Sequence, residues 1–457
     1  MIRSINQVNP KWLVLLAIGA STFMSALDTS VVNTVLPVIS RSLGSNVAQV
    51  EWVVTIYLLI VSGLLLSFGR LGDLLGHKRV FLWGFGIFIT ASALCGLSPT
   101  VGFLILFRGI QAFGAAMLAS NSPAILTKNF PATQRGQALG LQATMTYLGL
   151  TVAPSLGGWL TDLISWRAIF YINVPVGLLA LLLSWTLIPP DSDEKKEERF
   201  DMVGAGLFLA GLIALLTALN QGHAWGWGSV WNLGLFGLSL SALAVFTFVE
   251  SRRLFPMLDL KLFRDRIFTS SALSAITNYI AIFSILFLFP FYLINGRGLS
   301  PAQAGAILTI QPVIMAIIAP ISGTLSDRIG TKIPCAIGMA IMTAGLLWMT
   351  RLSLESSLFE AGLSLGLAGL GTGMFISPNN SALMGAAPRN RQGIAAGILA
   401  TARSVGMVLG VGVAGAILTT FLAHDSSPVS LTQAAHLSFF VAAGFTTAGA
   451  LLSFVKE

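Results

Sequence analysis

Apolar residues in this chain neither alternate nor recur on one face. They run on until a short polar or basic interruption stops them. A helix needs about 20 mostly apolar residues to cross the hydrocarbon core of a bilayer. Stretches that meet this requirement lie at 12–37, 50–69, 80–97, 101–122, 136–160, 168–188, 203–220, 230–249, 268–294, 302–324, 333–350, 357–384, 393–422 and 433–454, fourteen in all. The pair 203–220 and 230–249 is divided only by "NQGHAWGWGSVWN", whose Gly and Trp content suits a membrane–water interface.

The first stretch imitates a cleavable signal, with Arg3 and Lys11, an apolar run and the small residues of "MSA". The run continues through Val31 and Val35 to Pro37, too long for a signal core, so 12–37 is expected to be a spanning helix. An even number of spans puts both termini on one side. With that side cytoplasmic, only Arg41, Arg167, Arg297 and Arg351 of the 26 lysines and arginines lie outside, and Arg108 and Arg403 lie within spans. Basic residues gather on the cytoplasmic side of membrane proteins, so this orientation is the expected one.

Composition agrees. Of 457 residues, 55% are hydrophobic and only 10% charged, and the mean hydropathy is +0.82. Soluble domains are about 25% charged. The net charge of +8 does not point to nucleic acid, because the basic residues sit in short loops with no stripe of interleaved aromatics. Cys95 and Cys335 are expected at opposite membrane faces, too far apart for a disulfide. HExxH, GxSxG and GxxxxGK[ST] patterns are absent, and the four histidines do not gather into a metal site. No cofactor is expected, and an ion gradient is the remaining energy source.

An internal repeat organises the chain. "GRLGDLLGHK" (69–78) and "GTLSDRIGTK" (323–332) share Gly, Leu, Asp, Gly and Lys at the same offsets, after spans 2 and 10. Equating them divides the chain into a six-helix bundle at 1–190, an inserted region at 191–266 with spans 7 and 8, and a second six-helix bundle at 267–457. The segment "DSDEKKEERF" (191–200) links the first bundle to the insert. The expected fold is an all-α membrane protein with a 6+2+6 arrangement. Parallel six-helix repeats are a transporter architecture with the site between the halves.

Several stretches also carry a resemblance. "GRLGDLLGHKR" resembles the loop motif that follows helix 2 in the major facilitator superfamily. "LDTSVVNTVLP" (27–37) resembles the helix-1 motif of its 14-helix drug/proton antiporter branch. "RGIQAFGAA" (108–116) and "GLTVAPSLGG" (149–158) resemble the helix-4 arginine motif and the helix-5 antiporter motif, the latter with Ala153 where Gly is usual. "WRAIFYINVPVG" (166–177) and "FPMLDLKLF" (255–263) resemble stretches common in 14-helix members. The resemblance implies a secondary transporter of the cell membrane, not an enzyme, that exports small amphipathic compounds in exchange for protons and acts as a monomer. A dedicated exporter of one metabolite or lipid on the same fold remains the alternative.

Asp28 is the one acid that falls clearly within a span, and intramembrane acids are functional by default. An apolar medium favours a neutral carboxyl and a nearby arginine favours a charged one. Asp28 is therefore the expected proton-coupling residue. Arg108 and Asp28 both fall in the outer half of the membrane by their distance along the helices, where they either meet or face one cavity. Arg403 falls near mid-depth with no acid obviously matching it, and is open to contact with substrate or with helix carbonyls. Arg108, Asn33, Gln111 and Arg403 are expected to line the substrate cavity, Asn33 and Gln111 because they stand at i+5 and i+3 from Asp28 and Arg108. Asp73, with Arg70, Arg79 and the second-repeat Asp327, is expected to gate the inner face. Pro154, Gly157 and Gly158 are expected to allow close helix packing. Glu51, Asp162 and Glu360 lie near the outer boundary.

Overall fold

The computed structural model of the protein describes residues 10–131, 134–190, 202–252, 260–388, 392–423 and 427–454. Among these residues the chain is helical throughout. The helices are α1 (Pro10–Ser42), α2 (Val47–Leu75), α3 (His77–Leu97), α4 (Val101–Asn129), α5 (Arg135–Leu163), α6 (Ala168–Tyr171), α7 (Asn173–Leu187), α8 (Met202–Trp225) and α9 (Val230–Arg252). They continue with α10 (Arg266–Phe291), α11 (Pro301–Leu308), α12 (Ile310–Ile329), α13 (Lys332–Met349), α14 (Leu358–Ala386), α15 (Gln392–Leu422) and α16 (Pro428–Ser453). Twelve helical stretches are long and apolar enough to cross a membrane. Helices α5 and α8 cover the two remaining apolar stretches of the sequence. The linker at 191–201 lies outside the described residues.

Helix starts are set by local chemistry. Asn46, Ser300 and Ser357 each form a capping box with a Gln or Glu three residues on, and Thr100, Asp265 and Ser427 cap α4, α10 and α16. Each satisfies backbone N–H groups that helix geometry leaves unpaired. Two spans are broken where one continuous helix is expected. The first breaks at Ile172 and the second at Thr309. A proline has no N–H to give the carbonyl four residues back and crowds it. Pro175 so affects Tyr171 and Pro312 affects Leu308, the residues where α6 and α11 end.

Packing within α1–α7 recurs within α10–α16. The pairs α1–α5, α1–α7, α2–α4, α3–α4 and α3–α7 have counterparts in α10–α15, α10–α16, α12–α14, α13–α14 and α13–α16. The repeated loop motif shares its geometry too. Gly76 and Gly330 stand at equivalent places, both end a helix, and both have positive φ, 99° and 83°. Helices α8 and α9 pack on each other, and α8 also lies against α2 and α15.

The two groups approach most closely at the end bearing the α1–α2, α5–α6 and α10–α11 connections. The Asp162 Oδ2 accepts from the Ala302 N–H at 3.0 Å. Arg41 donates to the Ile294 carbonyl at 3.2 Å and also to Asn295. Ser155 and Thr309 share a hydrogen bond of 2.7 Å. A Cβ on Gly158 would stand 2.2 Å from the Pro301 carbonyl oxygen, and one on Gly305 would stand 2.1 Å from that of Pro154. Only glycine fits there. Glu51, buried nearby, accepts from Asn220 Nδ2 at 2.9 Å, and its carboxylate lies over Gly415 of α15.

Gly158→Val should therefore force α5 and α11 apart, at a cost of about 1–3 kcal/mol for overpacking. The expected results are a lower melting temperature and slower oxidation of an engineered Asp162→Cys/Ala302→Cys pair. Unchanged cross-linking would show that the two groups do not close through this contact.

Candidate functional site

Asp28, in the middle of α1, is fully buried, as is Arg108 of α4. Arg108 Nη1 lies 2.6 Å from Asp28 Oδ2. The other carboxylate oxygen accepts from Gln111 Nε2 at 3.1 Å and from Asn173 Nδ2 at 2.7 Å. Arg108 also donates to Gln111 Oε1 at 2.7 Å and to the Val53 carbonyl at 3.3 Å. Its guanidinium carbon sits 4.1 Å from the Tyr57 ring centre. Gln111 donates as well to Ser92 Oγ at 2.6 Å. A charge pair removed from water is tolerable only when its remaining donors and acceptors are matched. Here α1, α2, α3, α4 and α7 all contribute to that matching.

The sequence places Asp28, Arg108 and Gln111 in spans, and the structure joins them. Asn173 and Tyr57 complete the network without having been singled out. Asn173 begins α7 just past the break at Ile172, which Pro175 enforces, and that brings its amide to Asp28. The signal was present as a single Asn inside "WRAIFYINVPVG". Asn33 does not join the network. It is buried, donates to the Thr29 carbonyl at 2.8 Å, and its Oδ1 has no partner. Five residues turn a helix about 140° past a full circle, so an i+5 residue faces elsewhere.

Arg403 stands apart from this pair. It is half-buried on α15, 5.1 Å from the Tyr279 ring centre of α10, with Tyr147 of α5 close enough to feel its charge. The backbone of α15 approaches α10 because Gly406 lies over the Ile276 carbonyl and Tyr279 Cβ. Of the other polar residues in spans, Gln142 donates to Thr22, Asn379 to the Ser271 carbonyl, and Asn278 to the Met339 sulfur.

At the opposite end from the α5–α11 closure, Asp73 pairs with Arg70 at 3.8 Å and His77 at 3.3 Å. His77 Nδ1 also meets Asn121 Oδ1 at 2.8 Å, and Gly72 leaves room for that amide. Neither His77, the partner of Asp73, nor Asn121, the partner of His77, stood out in the sequence. Arg79 and Asp327 are exposed. The glycines of "GLTVAPSLGG" divide between two neighbours. Gly149 and Gly157 face α1, while Gly158, one turn past Pro154, faces α11.

Breaking one partner of a buried pair costs about 3–5 kcal/mol, and leaving a buried acceptor short of a donor costs about 1–3 kcal/mol. Arg108→Gln should thus lower the melting temperature more than Asn173→Leu does. Combining Arg108→Gln with Asp28→Asn should restore part of the loss, since the contacting residues are coupled. Strictly additive melting shifts would mean that Asp28 and Arg108 do not depend on each other.

The sequence profile of the Major Facilitator Superfamily matches residues 18–261 and 271–457. Riboflavin transporter RibZ of Clostridioides difficile is 34% identical over 450 residues, 97% of each chain. Multidrug resistance protein Stp of Mycobacterium tuberculosis is 34% identical over 91% of this chain and 77% of its own. The tetracenomycin C resistance and export protein of Streptomyces glaucescens is 31% identical over 90% and 76%. The same fold occurs in the crystal structure of a D-xylose–proton symporter, with a TM-score of 0.71, 16% identity and 98% of both chains covered. The chain belongs to the major facilitator superfamily, as a multi-pass membrane transporter.

Proposed function

We propose that the protein is a proton-coupled exporter of small amphipathic compounds, working by alternating access as a monomer in the cell membrane. Its expected form is fourteen spans in a 6+2+6 arrangement with both termini cytoplasmic. The recurring helix pairs of the two groups and the position of α8 and α9 beside them support that arrangement. In this orientation the contacts around Gly158 and Pro301 close the outer end, which supports an inward-facing state as one half of the cycle.

The observation that carries the reading is the buried ion pair of Asp28 and Arg108. A proton on Asp28 cancels the attraction to Arg108 and turns one carboxylate oxygen from acceptor to donor, opposed to the amides of Gln111 and Asn173. Helices α1, α4 and α7 then lose their common tie. Asp73, with Arg70, Arg79 and Asp327, forms the inner gate in this scheme. One proton moving down 100 mV releases about 2.3 kcal/mol, and each pH unit adds about 1.4 kcal/mol. Together they drive accumulation of roughly a hundredfold or more for one proton per cycle.

Similarity to a riboflavin transporter along 97% of both chains supports a second reading, a dedicated exporter of one metabolite or lipid, for which proton coupling is not required. Transport unchanged by collapse of the pH gradient would favour it.

Asp28→Asn should abolish uphill efflux from proteoliposomes with an imposed pH gradient, while downhill exchange persists. Retained pumping with unchanged pH dependence would move the proton site away from Asp28, with Glu51 as the next candidate. For topology, a cysteine at Gly226 should react with an impermeant reagent added to intact cells, and one at Asp327 should not. The reverse pattern would invert the proposed orientation.

A further inference from the structure

Asp28, Arg108 and Arg403 lie well inside their helices, and their charges are not balanced. Asp28 and Arg108 neutralise each other, and both are withdrawn from solvent and lipid. Asp28 has no face left for a ligand, since Arg108, Gln111 and Asn173 occupy its two oxygens. Arg403 has no such partner. Among the described residues no carboxylate lies within 4 Å of it, and its one close aromatic contact is the Tyr279 ring. It is also the one of the three whose side chain is not fully enclosed. A guanidinium inside a membrane protein is costly unless something answers its charge, and the Tyr279 ring face and hydroxyl, both neutral, answer only part of it.

The setting spans both helix groups. Arg403 and Tyr279 belong to the second group, through α15 and α10, and Tyr147 belongs to the first, through α5. Two tyrosines offer ring faces for stacking and hydroxyls for hydrogen bonds. The guanidinium offers a planar fork that matches a carboxylate.

From this juxtaposition we infer that Arg403, Tyr279 and Tyr147 form a substrate subsite for a flat aromatic compound bearing an anionic group. The anion pairs with Arg403, and the ring lies between the two tyrosines. The net positive charge of this region selects against cations, because the fixed acid is already neutralised by Arg108. Tyr147 on one group and Arg403 on the other let one ligand touch both. The inference rests on the reading of the protein as a carrier with its path between the two groups.

Three naphthalene probes of one size test it: naphthoate, naphthylmethylammonium and naphthylmethanol. Their binding is measured by calorimetry on the full chain in nanodiscs. The wild type should bind naphthoate at least about tenfold more tightly than the ammonium probe, the scale of one charge-assisted hydrogen bond. Arg403→Gln should remove that preference and leave naphthylmethanol binding within about twofold. Arg403→Lys should keep part of it, which separates loss of charge from loss of fold, and Tyr279→Leu should weaken naphthoate and naphthylmethanol alike. Equal binding of the three probes, no binding of any, or an equal loss of all three in Arg403→Gln would overturn the subsite. Efflux of the same probes under a pH gradient distinguishes the two ideas. Uphill export of the ammonium probe, indifferent to Arg403→Gln, refutes the subsite and keeps the exporter. Anion-selective binding without uphill movement of any probe keeps the subsite and refutes proton-coupled export.

Discussion

The charge pair between Asp28 and Arg108 is the constraint around which the first helix group is arranged. A carboxylate buried among apolar helices must be answered on both oxygens, and so must the guanidinium beside it. That requirement fixes the register of α4 against α1, because Arg108 and Gln111 have to arrive one turn apart on the facing side. It explains why Val53 offers its carbonyl and Tyr57 its ring at that level of α2. It also accounts for the interrupted sixth span, since an unbroken helix there would not start afresh at Asn173.

Charge is distributed unevenly between the groups. The first holds a closed, neutral pair that is hidden from any ligand. The second holds the Arg403 guanidinium, which is stacked on and hydrogen-bonded to Tyr279 and has no carboxylate within 4 Å among the described residues. Repeated architecture has thus diverged in chemistry, with the fixed acid in one half and the open cation in the other. The same asymmetry appears at the repeated loop motif. Asp73 is tied to Arg70 and His77, whereas Asp327 is exposed at the end of α12.

Much of this was legible in the sequence, because a bilayer makes severe demands. Runs of apolar residues have to be long, so the helical stretches could be read to within a few residues at most ends. A polar residue inside such a run stands out, which is how Asp28, Arg108 and Gln111 were found. Asn173 was obscured by its place near the start of an expected span, where an amide reads as interfacial. The breaks were not legible either, although Pro175 and Pro312 are plain in the sequence. Pro37, Pro123 and Pro154 sit inside unbroken helices, so a proline alone does not announce a break. Asn33 turns away from the Asp28–Arg108 pair because residues five apart lie about 140° apart around a helix.

Helix α8 has a mechanical meaning that its sequence hides. It is wedged between α2 of one group and α15 of the other, and on both sides it meets them through leucines set over glycines. Leu209 sits on Gly63, and Leu216 sits on Gly412. On the α2 side the wedge is also hydrogen-bonded, since Asn220 of α8 donates to the Glu51 carboxylate and the Ala48 carbonyl and accepts from the Trp52 indole N–H. Any tilting of one group against the other has to pass beneath this wedge. It is therefore pinned on one side, by Asn220 to α2, and rests on the other through Leu216 over Gly412, so that α8 belongs mechanically to the first group.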